Sequence, residues 1–264
     1  MTKPISVVIT SYNQKRYLVD ALKSIINQTI TPEEVIVCDD CSTDGSQKLI
    51  KKYANKHSNI RYIFQDDNVG VVKNRNTGLR EARNPYISIL DGDDWYSGNK
   101  LELEYNALKQ WNYGWAYSLE KIADSNGNFQ RSRLGISDGK SGDIFKEIVT
   151  KELSPKHWMM KKEALESVGF LDEDMDLYED WEFKIRLSHN YDAYFSADSA
   201  IYYRQHESGL HNASDAKYRK EKRKLYNKVL KQKRDMLPRI DEIESEVKKF
   251  FYKDYREVAE EQLW

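Results

Sequence analysis

Only two cysteines occur in this chain, Cys38 and Cys41, and their C-x-x-C spacing is that of a thioredoxin-type redox pair. The residues between them, Asp39 and Asp40, raise thiol pKa values instead of lowering them, and Cys38 continues an apolar strand. The pair therefore reads as two reduced thiols, as expected in the cytoplasm. An excess of either charge is also missing. Forty-two basic residues face forty-three acidic ones, a formal net charge of -1, which argues against general nucleic-acid binding. No uninterrupted apolar run approaches the roughly twenty residues of a membrane span. Met1–Thr2–Lys3–Pro4–Ile5 leads straight into a strand without signal-peptide features. These absences set the expectation of a cytoplasmic protein, at most peripheral at the inner face of a membrane. The first strand is followed by Thr10–Ser11–Tyr12–Asn13, not by a glycine-rich turn, which disfavours an NAD-binding dehydrogenase.

What is present is a large supply of aromatics, eighteen Tyr and six Trp among 264 residues, in a chain long enough for a sizeable core. The first hundred residues alternate strand and helix. Ile5–Thr10 is a near-continuous apolar run of the kind found in parallel strands buried on both faces. Leu18, Ala21, Leu22, Ile25 and Ile26 recur at helical spacing between Tyr17 and Gln28. Strands follow at Val35–Cys38, Ile60–Phe64 and Tyr86–Leu90, with helices over Ser46–Lys56 and Lys73–Ala82 between them. Such alternation predicts an α/β fold with a parallel sheet and right-handed crossovers. Ligands of such sheets bind beyond the carboxyl ends of the strands.

The loops at those ends are the polar ones. Thr10–Asn13, Asp39–Gly45, Gln65–Gly70 and Asp91–Asp94 bring hydroxyls and carboxylates to one rim. The last is the most telling: the strand Ile87–Leu90 ends in Asp91–Gly92–Asp93–Asp94, three carboxylates within four residues. Such acids repel unless a cation sits among them, and oxygen-rich sites suit magnesium or manganese shared with phosphates. A polar turn capping the strand is the plainer reading of the same run.

Beyond Asn99 a helix over Lys100–Trp111 is expected, then a hairpin from Trp115 through Phe129 around Asn126–Gly127. Arg131–Gly142 has the composition of a lid loop. Short helices are expected over Asp143–Lys151 and Lys161–Gly169, a further one over Asp180–His189, and a last strand over Ala200–Arg204. From Ser214 onward the chain becomes highly charged. A basic helix over Lys217–Arg234, a break at Pro238 and an acidic helix from Ile240 to Val258 read as a C-terminal helical appendage. That appendage is either solvated or a surface for homodimerisation or membrane contact.

Taken in series, Val7–Asn13, Val37–Ser46, Asn68–Gly70 with Arg75–Asn76, and Leu90–Asp94 resemble glycosyltransferase family 2 in order and spacing. The resemblance covers roughly residues 4 to 210. It implies a GT-A (Rossmann-like) fold with a mixed, mainly parallel sheet flanked by helices. It also implies a domain over 1–212, divided into a nucleotide-binding half (1–99) and an acceptor-binding half (100–212), followed by the extension 213–264. The implied activity is inverting transfer of a sugar from a nucleotide-diphosphate donor, expected to be a UDP-sugar. The acceptor would be a hydroxyl of a glycan or a lipid-linked sugar, in polysaccharide or surface-glycan biosynthesis.

The resemblance also assigns roles. Thr10 and Tyr12 would line the nucleoside pocket. Asp40 would accept a hydrogen bond from the base, with Asp39 holding the loop, and Asp91 would approach the ribose. Asp93 would ligate a divalent metal (Mn2+ or Mg2+), and His206 of Tyr202–His206 would reach the same metal or the diphosphate, in preference to His211. Gly92 and Asp94 complete that loop, Asp94 reaching the donor sugar or holding the backbone. Lys73 and Arg75 are secondary candidates for donor contact, with ordinary surface charge as the alternative. Asp180, beside Glu179, would be the general base that takes the acceptor proton, although a carboxylate opening a helix also serves as an N-cap. His157, Trp158 and Trp95 are candidates for the acceptor wall, and Trp181 for stacking, each equally readable as core.

Three rivals are weaker. An EF-hand starting at Asp40 would need a Glu where Lys51 stands. A sugar-phosphate nucleotidyltransferase would carry a glycine-rich, basic first loop. A catalytically silent nucleotide-binding scaffold of the same fold would have little reason to keep Asp93, Asp180 and His206 together.

Overall fold

The structure, a computed structural model, describes residues 1–135, 137–207, 214–228, 238–243, 245 and 249. Its first half is built from four parallel strands, β1 (Thr2–Ser11), β2 (Thr31–Asp39), β3 (Ile60–Phe64) and β4 (Tyr86–Asp91). They are joined by helices α1 (Lys15–Ile26), α2 (Ser46–Ala54) and α3 (Val71–Glu81) and lie in the order β3-β2-β1-β4. Alternate side chains of β1 enter two different cores. Ile5, Val7 and Ile9 pack with Leu18 and Leu22 of α1, whereas Val8 packs with Val72 and Leu79 of α3. Burial on both faces is why the run is apolar without alternation.

Helix α3 lies against the sheet through Gly78. A Cβ there would sit 2.4 Å from Val8 Cγ1 and 2.8 Å from Cys38 Sγ, so any side chain would lift the helix from β1 and β2. The same burial pushes the Cys38 thiol up to about 12, and both cysteines are free thiols.

The second half extends the same sheet. After β5 (Trp95–Tyr96) and α4 (Lys100–Gln110) come β6 (Trp115–Ala123) and β7 (Phe129–Leu134). Next are α5 (Phe145–Val149), β8 (Met159–Lys161), α6 (Lys162–Val168), α7 (Glu179–Asn190) and β9 (Ala193–Arg204). The sheet runs β3-β2-β1-β4-β8-β6-β9-β5 with β7 beside β6. The ladders of β1 with β2 and β4, and of β6 with β9, are parallel, while β8 pairs antiparallel with both β4 and β6. This is the mixed, mainly parallel GT-A arrangement, with helices on both faces.

Two expectations need correction. Arg131–Leu134 belongs to β7, not to a lid loop; it pairs with β6 across a turn at Gly127 (φ 89°). Its side chains are mostly exposed, so backbone pairing holds it and no apolar pattern announces it. The last strand begins at Ala193, not Ala200, because a register break at Ser118/Leu119 interrupts its pairing with β6.

At the C-terminus, α8 (Asp215–Tyr226) starts at an N-cap where Ser214 accepts from the Lys217 N–H. Its Leu225 is buried, and Glu221 accepts the backbone N–H of Asp176 at 3.1 Å, which seats the helix beside the loop that enters α7. Pro238–Ile243 forms a 3-10 turn. Most of the acidic helix expected over Ile240–Val258 lies outside the described residues. Among the described residues, no helix is long and apolar enough to cross a membrane.

One ion pair sits wholly inside this framework. Lys100 and Glu104 of α4 are both fully buried and 2.6 Å apart, with the ammonium 4.3 Å from the Tyr96 ring centroid. Burial pushes the Glu104 carboxyl up to about 7 despite its lysine. Replacing Lys100 by Met leaves that carboxyl without a cation and should cost about 3–5 kcal/mol at pH 8. A raised folded-state pKa means that protonated Glu104 is the form folding prefers, so the penalty is full above the folded value, shrinks as pH falls from about 7 and is gone near the unfolded value of 4.5. The double change Lys100→Met with Glu104→Leu should recover most of the loss. Urea unfolding of the three proteins at pH 8 and pH 5 checks both statements.

Candidate functional site

The carboxyl ends of β1, β2 and β4 place their polar loops around one cavity of about 630 Å³. Its other wall comes from the segment before β8, the start of α7 and the end of β9. In the first loop, Thr10 is buried and donates its hydroxyl to Asp91 at 2.8 Å. Tyr12 is 48 % exposed and lines the cavity, leaving a ring face open for stacking.

Asp39 and Asp40 divide the second loop between them. Asp39 is buried and accepts the Ser42 backbone N–H (2.9 Å), the Ser42 hydroxyl (2.6 Å) and the Gln47 amide (3.1 Å). It faces its own turn and not the cavity. Asp40 lines the cavity, but both of its oxygens already accept backbone N–H groups, from Val69 (2.7 Å) and Gly70 (2.9 Å). It therefore ties the β3–α3 loop to the rim, and only its remaining lone pairs face a ligand.

The Asp91–Asp94 loop separates four roles. Gly92 has no room for a side chain: a Cβ would lie 2.8 Å from the Thr10 carbonyl oxygen, which accepts its N–H. Asp93 lines the cavity and meets His206 Nε2 at 2.9 Å. Asp94 points the other way. It accepts the Arg204 backbone N–H at 2.8 Å and contacts His157 Nε2 at 2.5 Å. Burial and then the neighbouring Asp93 charge push its carboxyl up to about 7, against the pull of His157. By gripping Arg204, Asp94 fixes the end of β9 and so sets His206, two residues on, against Asp93. The Arg204 guanidinium reinforces this, donating to the Asp93 carbonyl (2.9 Å) and to Asp20 (2.7 Å). His211 lies outside the described residues.

Arg75, on the buried face of α3, joins the two acidic groups of the site. It donates to Asp91 at 2.6 Å and to Glu179 at 2.9 Å, with its side chain 6 % exposed. Burial alone would raise the Asp91 carboxyl, yet the Arg75 guanidinium holds it well below the usual range. Lys73, two residues away, is exposed and stays outside the cavity.

Asp180 sits in the first turn of α7 with Glu179 and Glu182, where the helix dipole favours anions. Burial would raise it, but Lys184 (2.9 Å) and then Lys156 hold it far below the usual carboxylate range. Glu179 is shifted upward, by burial and then by the Asp180 charge, with Arg75 opposing. The pair is thus split into one firmly ionised carboxylate facing the cavity and one less acidic neighbour locked to Arg75.

The tryptophans differ. Trp158, buried against Phe183, and Trp181, which donates to the Ile148 carbonyl at 2.6 Å, are both core residues that also line the cavity. Trp95 stacks on Tyr202, ring centroids 5.0 Å apart, away from the cavity lining.

Backbone strain gathers in the same place. The described non-glycine residues with positive φ are Asn13 (52°), Cys41 (63°), Lys151 (59°), His157 (47°) and Tyr178 (66°). Three of them line the cavity and two adjoin Tyr12 and Asp40, a clustering typical of functional sites.

For a divalent cation the residues fit. Asp93 offers a carboxylate at the cavity wall, with the buried His206 imidazole behind it at 2.9 Å. Ligand atoms of Asp91, Asp94 and His157 also lie within 4.8 Å of one another. Asp93 is the more accessible carboxylate, whereas Asp94 is satisfied internally. Sequence reasoning missed several cavity residues. Lys184, which is fully buried and holds Asp180 from behind the lining, was detectable, since it stands four residues after Asp180 on a helix. Lys151, Lys156, Arg131 and Arg133 carry no motif.

The profile of glycosyl transferase family 2 matches residues 6–169, more than half of the chain. A chondroitin synthase of Escherichia coli is 32 % identical over 157 residues, which is 59 % of this chain and 22 % of that protein. A cholesterol galactosyltransferase of Borreliella burgdorferi is 41 % identical over 105 residues, 40 % of this chain and 29 % of that protein. The chain thus spans less than a third of either relative. Among solved structures, S. aureus TarS 1-349 in complex with UDP-GlcNAc superposes with a TM-score of 0.70 at 23 % identity, covering 86 % of this chain and 66 % of that one. That likeness shows the GT-A fold, and with the family match it closes the question of membership. The chain belongs to glycosyl transferase family 2.

Proposed function

We propose that this protein transfers a sugar from a nucleotide-diphosphate donor, a UDP-sugar, to a hydroxyl of a glycan or lipid-linked acceptor with inversion at the anomeric carbon. The observation that carries this reading is the convergence of Asp93, backed by His206, and of Asp180 on one cavity, linked through Asp91, Arg75 and Glu179. The cavity volume suits a ligand of this size.

Tyr12 would stack on the base, Asp40 would orient it, and Asp91 would meet the ribose. A divalent cation at Asp93 and His206 would supply charge stabilisation for the departing diphosphate. Asp180 would orient the acceptor hydroxyl and accept its proton as the new bond forms opposite the leaving group. The firm ionisation of Asp180 keeps it ready to accept but makes it a weak base, so proton transfer would come late, when the hydroxyl has become acidic. The setting would be surface-glycan biosynthesis on the cytoplasmic side of a membrane.

A thermal-shift screen of nucleotide sugars with manganese or with EDTA tests the donor half. At about one hundred times its dissociation constant, the right donor adds roughly 2.7 kcal/mol, a melting rise of roughly 5–11 °C for a chain this size. Asp93→Ala should lose the manganese-dependent part. No stabilisation by any nucleotide sugar, with or without metal, would contradict the reading. Donor binding without transfer to any acceptor would favour a nucleotide-binding scaffold.

A further inference from the structure

Six cationic side chains line the cavity, and the nucleotide loops account for few of them. Arg75 is neutralised by Asp91 and Glu179, Arg204 by Asp20, and Arg133 by buried Glu120. Arg131, Lys151 and Lys156 remain, and among the described residues none of the three has a carboxylate within ion-pair distance. The carboxylate acting most strongly on Lys151 and Lys156 is Asp180, with Asp91 also acting on Lys156, and Asp180 already holds Lys184 at 2.9 Å.

We propose that the part of the cavity beyond Asp180 is an anion subsite, in which Arg131, Lys151 and Lys156 grip a phosphate or carboxylate carried by the acceptor. This rests on the transferase reading and names the acceptor's chemical class. Three arguments support it. The cations come from β7 and from the segment between α5 and β8, not from the loops after β1, β2 and β4 that face the nucleotide. Half-buried Lys151 has its ammonium lowered to about 8 by burial, and the charges acting on it are those of Asp180, Lys222, Lys184 and Lys156, with no carboxylate of the donor loops among them. Its backbone is also strained, at φ 59°. A strained, partly desolvated and unpaired cation is costly in the free protein and becomes favourable once an anion arrives.

Lys151 is braced for this role: its ammonium lies 4.4 Å from the Tyr178 ring centroid and 4.8 Å from that of Trp181. Lys156 is set over Tyr203 at 5.4 Å. Both aromatic contacts hold the charge in place without cancelling it. An anionic group there would lie next to Asp180, so the acceptor hydroxyl would be presented from the same residue or its neighbour.

The test uses the full chain saturated with UDP and manganese, so that the donor half is occupied. Glucose 6-phosphate, glucuronate and glucose are titrated by calorimetry at low salt, and again at high salt. One or both anionic probes should bind at least roughly tenfold more tightly than glucose, and the preference should fade with salt. Lys151→Gln and Arg131→Gln should each weaken the anionic probe while UDP affinity stays at the wild-type value and the melting temperature does not fall. Relative strength of the two probes separates a phosphate acceptor from a uronate. Equal binding of all three sugars overturns the inference. So does loss of UDP affinity in these variants, which would give the cations to the donor diphosphate and leave the transferase reading standing. A wild-type protein that binds no UDP removes that reading and this inference together.

Discussion

Replacing Asp180 by Asn should lower acceptor-dependent transfer by roughly 10²–10⁴-fold while leaving UDP affinity unchanged. The amide keeps the shape and can still accept from Lys184, whose ammonium also donates to the Pro155 carbonyl at 2.7 Å, so the helix start should survive. What is lost is the capacity to take a proton. Slow hydrolysis of the donor by water should fall less than transfer, because its demand for an oriented base is smaller. Equal loss of donor binding and transfer would instead make Asp180 a positioning residue of the donor site. Product release measured with and without acceptor, beside calorimetry with UDP, separates these outcomes.

Arg75→Met should be the most destabilising single change at the site. It removes the cation between Asp91 and Glu179 and leaves a buried carboxylate and a partly exposed one without their shared partner. Breaking a buried ion pair from one side costs about 3–5 kcal/mol, or roughly 6–20 °C in melting temperature for a domain this large. Donor affinity should fall as well, since Asp91 and Thr10 lose their fixed geometry. Arg75→Lys should rescue only part of this, because a single ammonium cannot hold both carboxylates in the fork that a guanidinium spans. An unchanged melting temperature in Arg75→Met would show that the bridge carries no stability.

Much of this site was legible in the sequence because buried parallel strands are apolar and their polar ends stand out against them. The acids of Asp91–Asp94 stood out that way, whereas Glu179–Asp180, which opens a helix, was singled out through the resemblance to the family. Arg75 was not separable from surface charge. Helix α3 buries Arg75 and Asn76 against the 171–179 segment and Asn74 against the Cys38 carbonyl, and a helix covered on its polar side gives no amphipathic signal. The division of labour between Asp93 and Asp94 was equally hidden, because adjacent residues of one loop point opposite ways only once β9 is in place. β7 escaped notice because the side chains of Gln130–Arg133 are exposed and polar, so no apolar pattern marks the strand. The cations Lys151 and Lys156 lie in a segment whose conformation depends on residues far away in the chain.

If a cation at Asp93, backed by His206, holds the diphosphate of a nucleotide-sugar donor, the second phosphate adds affinity only when that cation is present. Calorimetric titration of UDP and of UMP, in manganese and in EDTA, tests it most directly. The account predicts that UDP binds roughly tenfold or more tightly than UMP in manganese, and that this advantage collapses in EDTA and in Asp93→Ala. Equal affinities for UDP and UMP in manganese, or a UDP advantage untouched by EDTA, would contradict it.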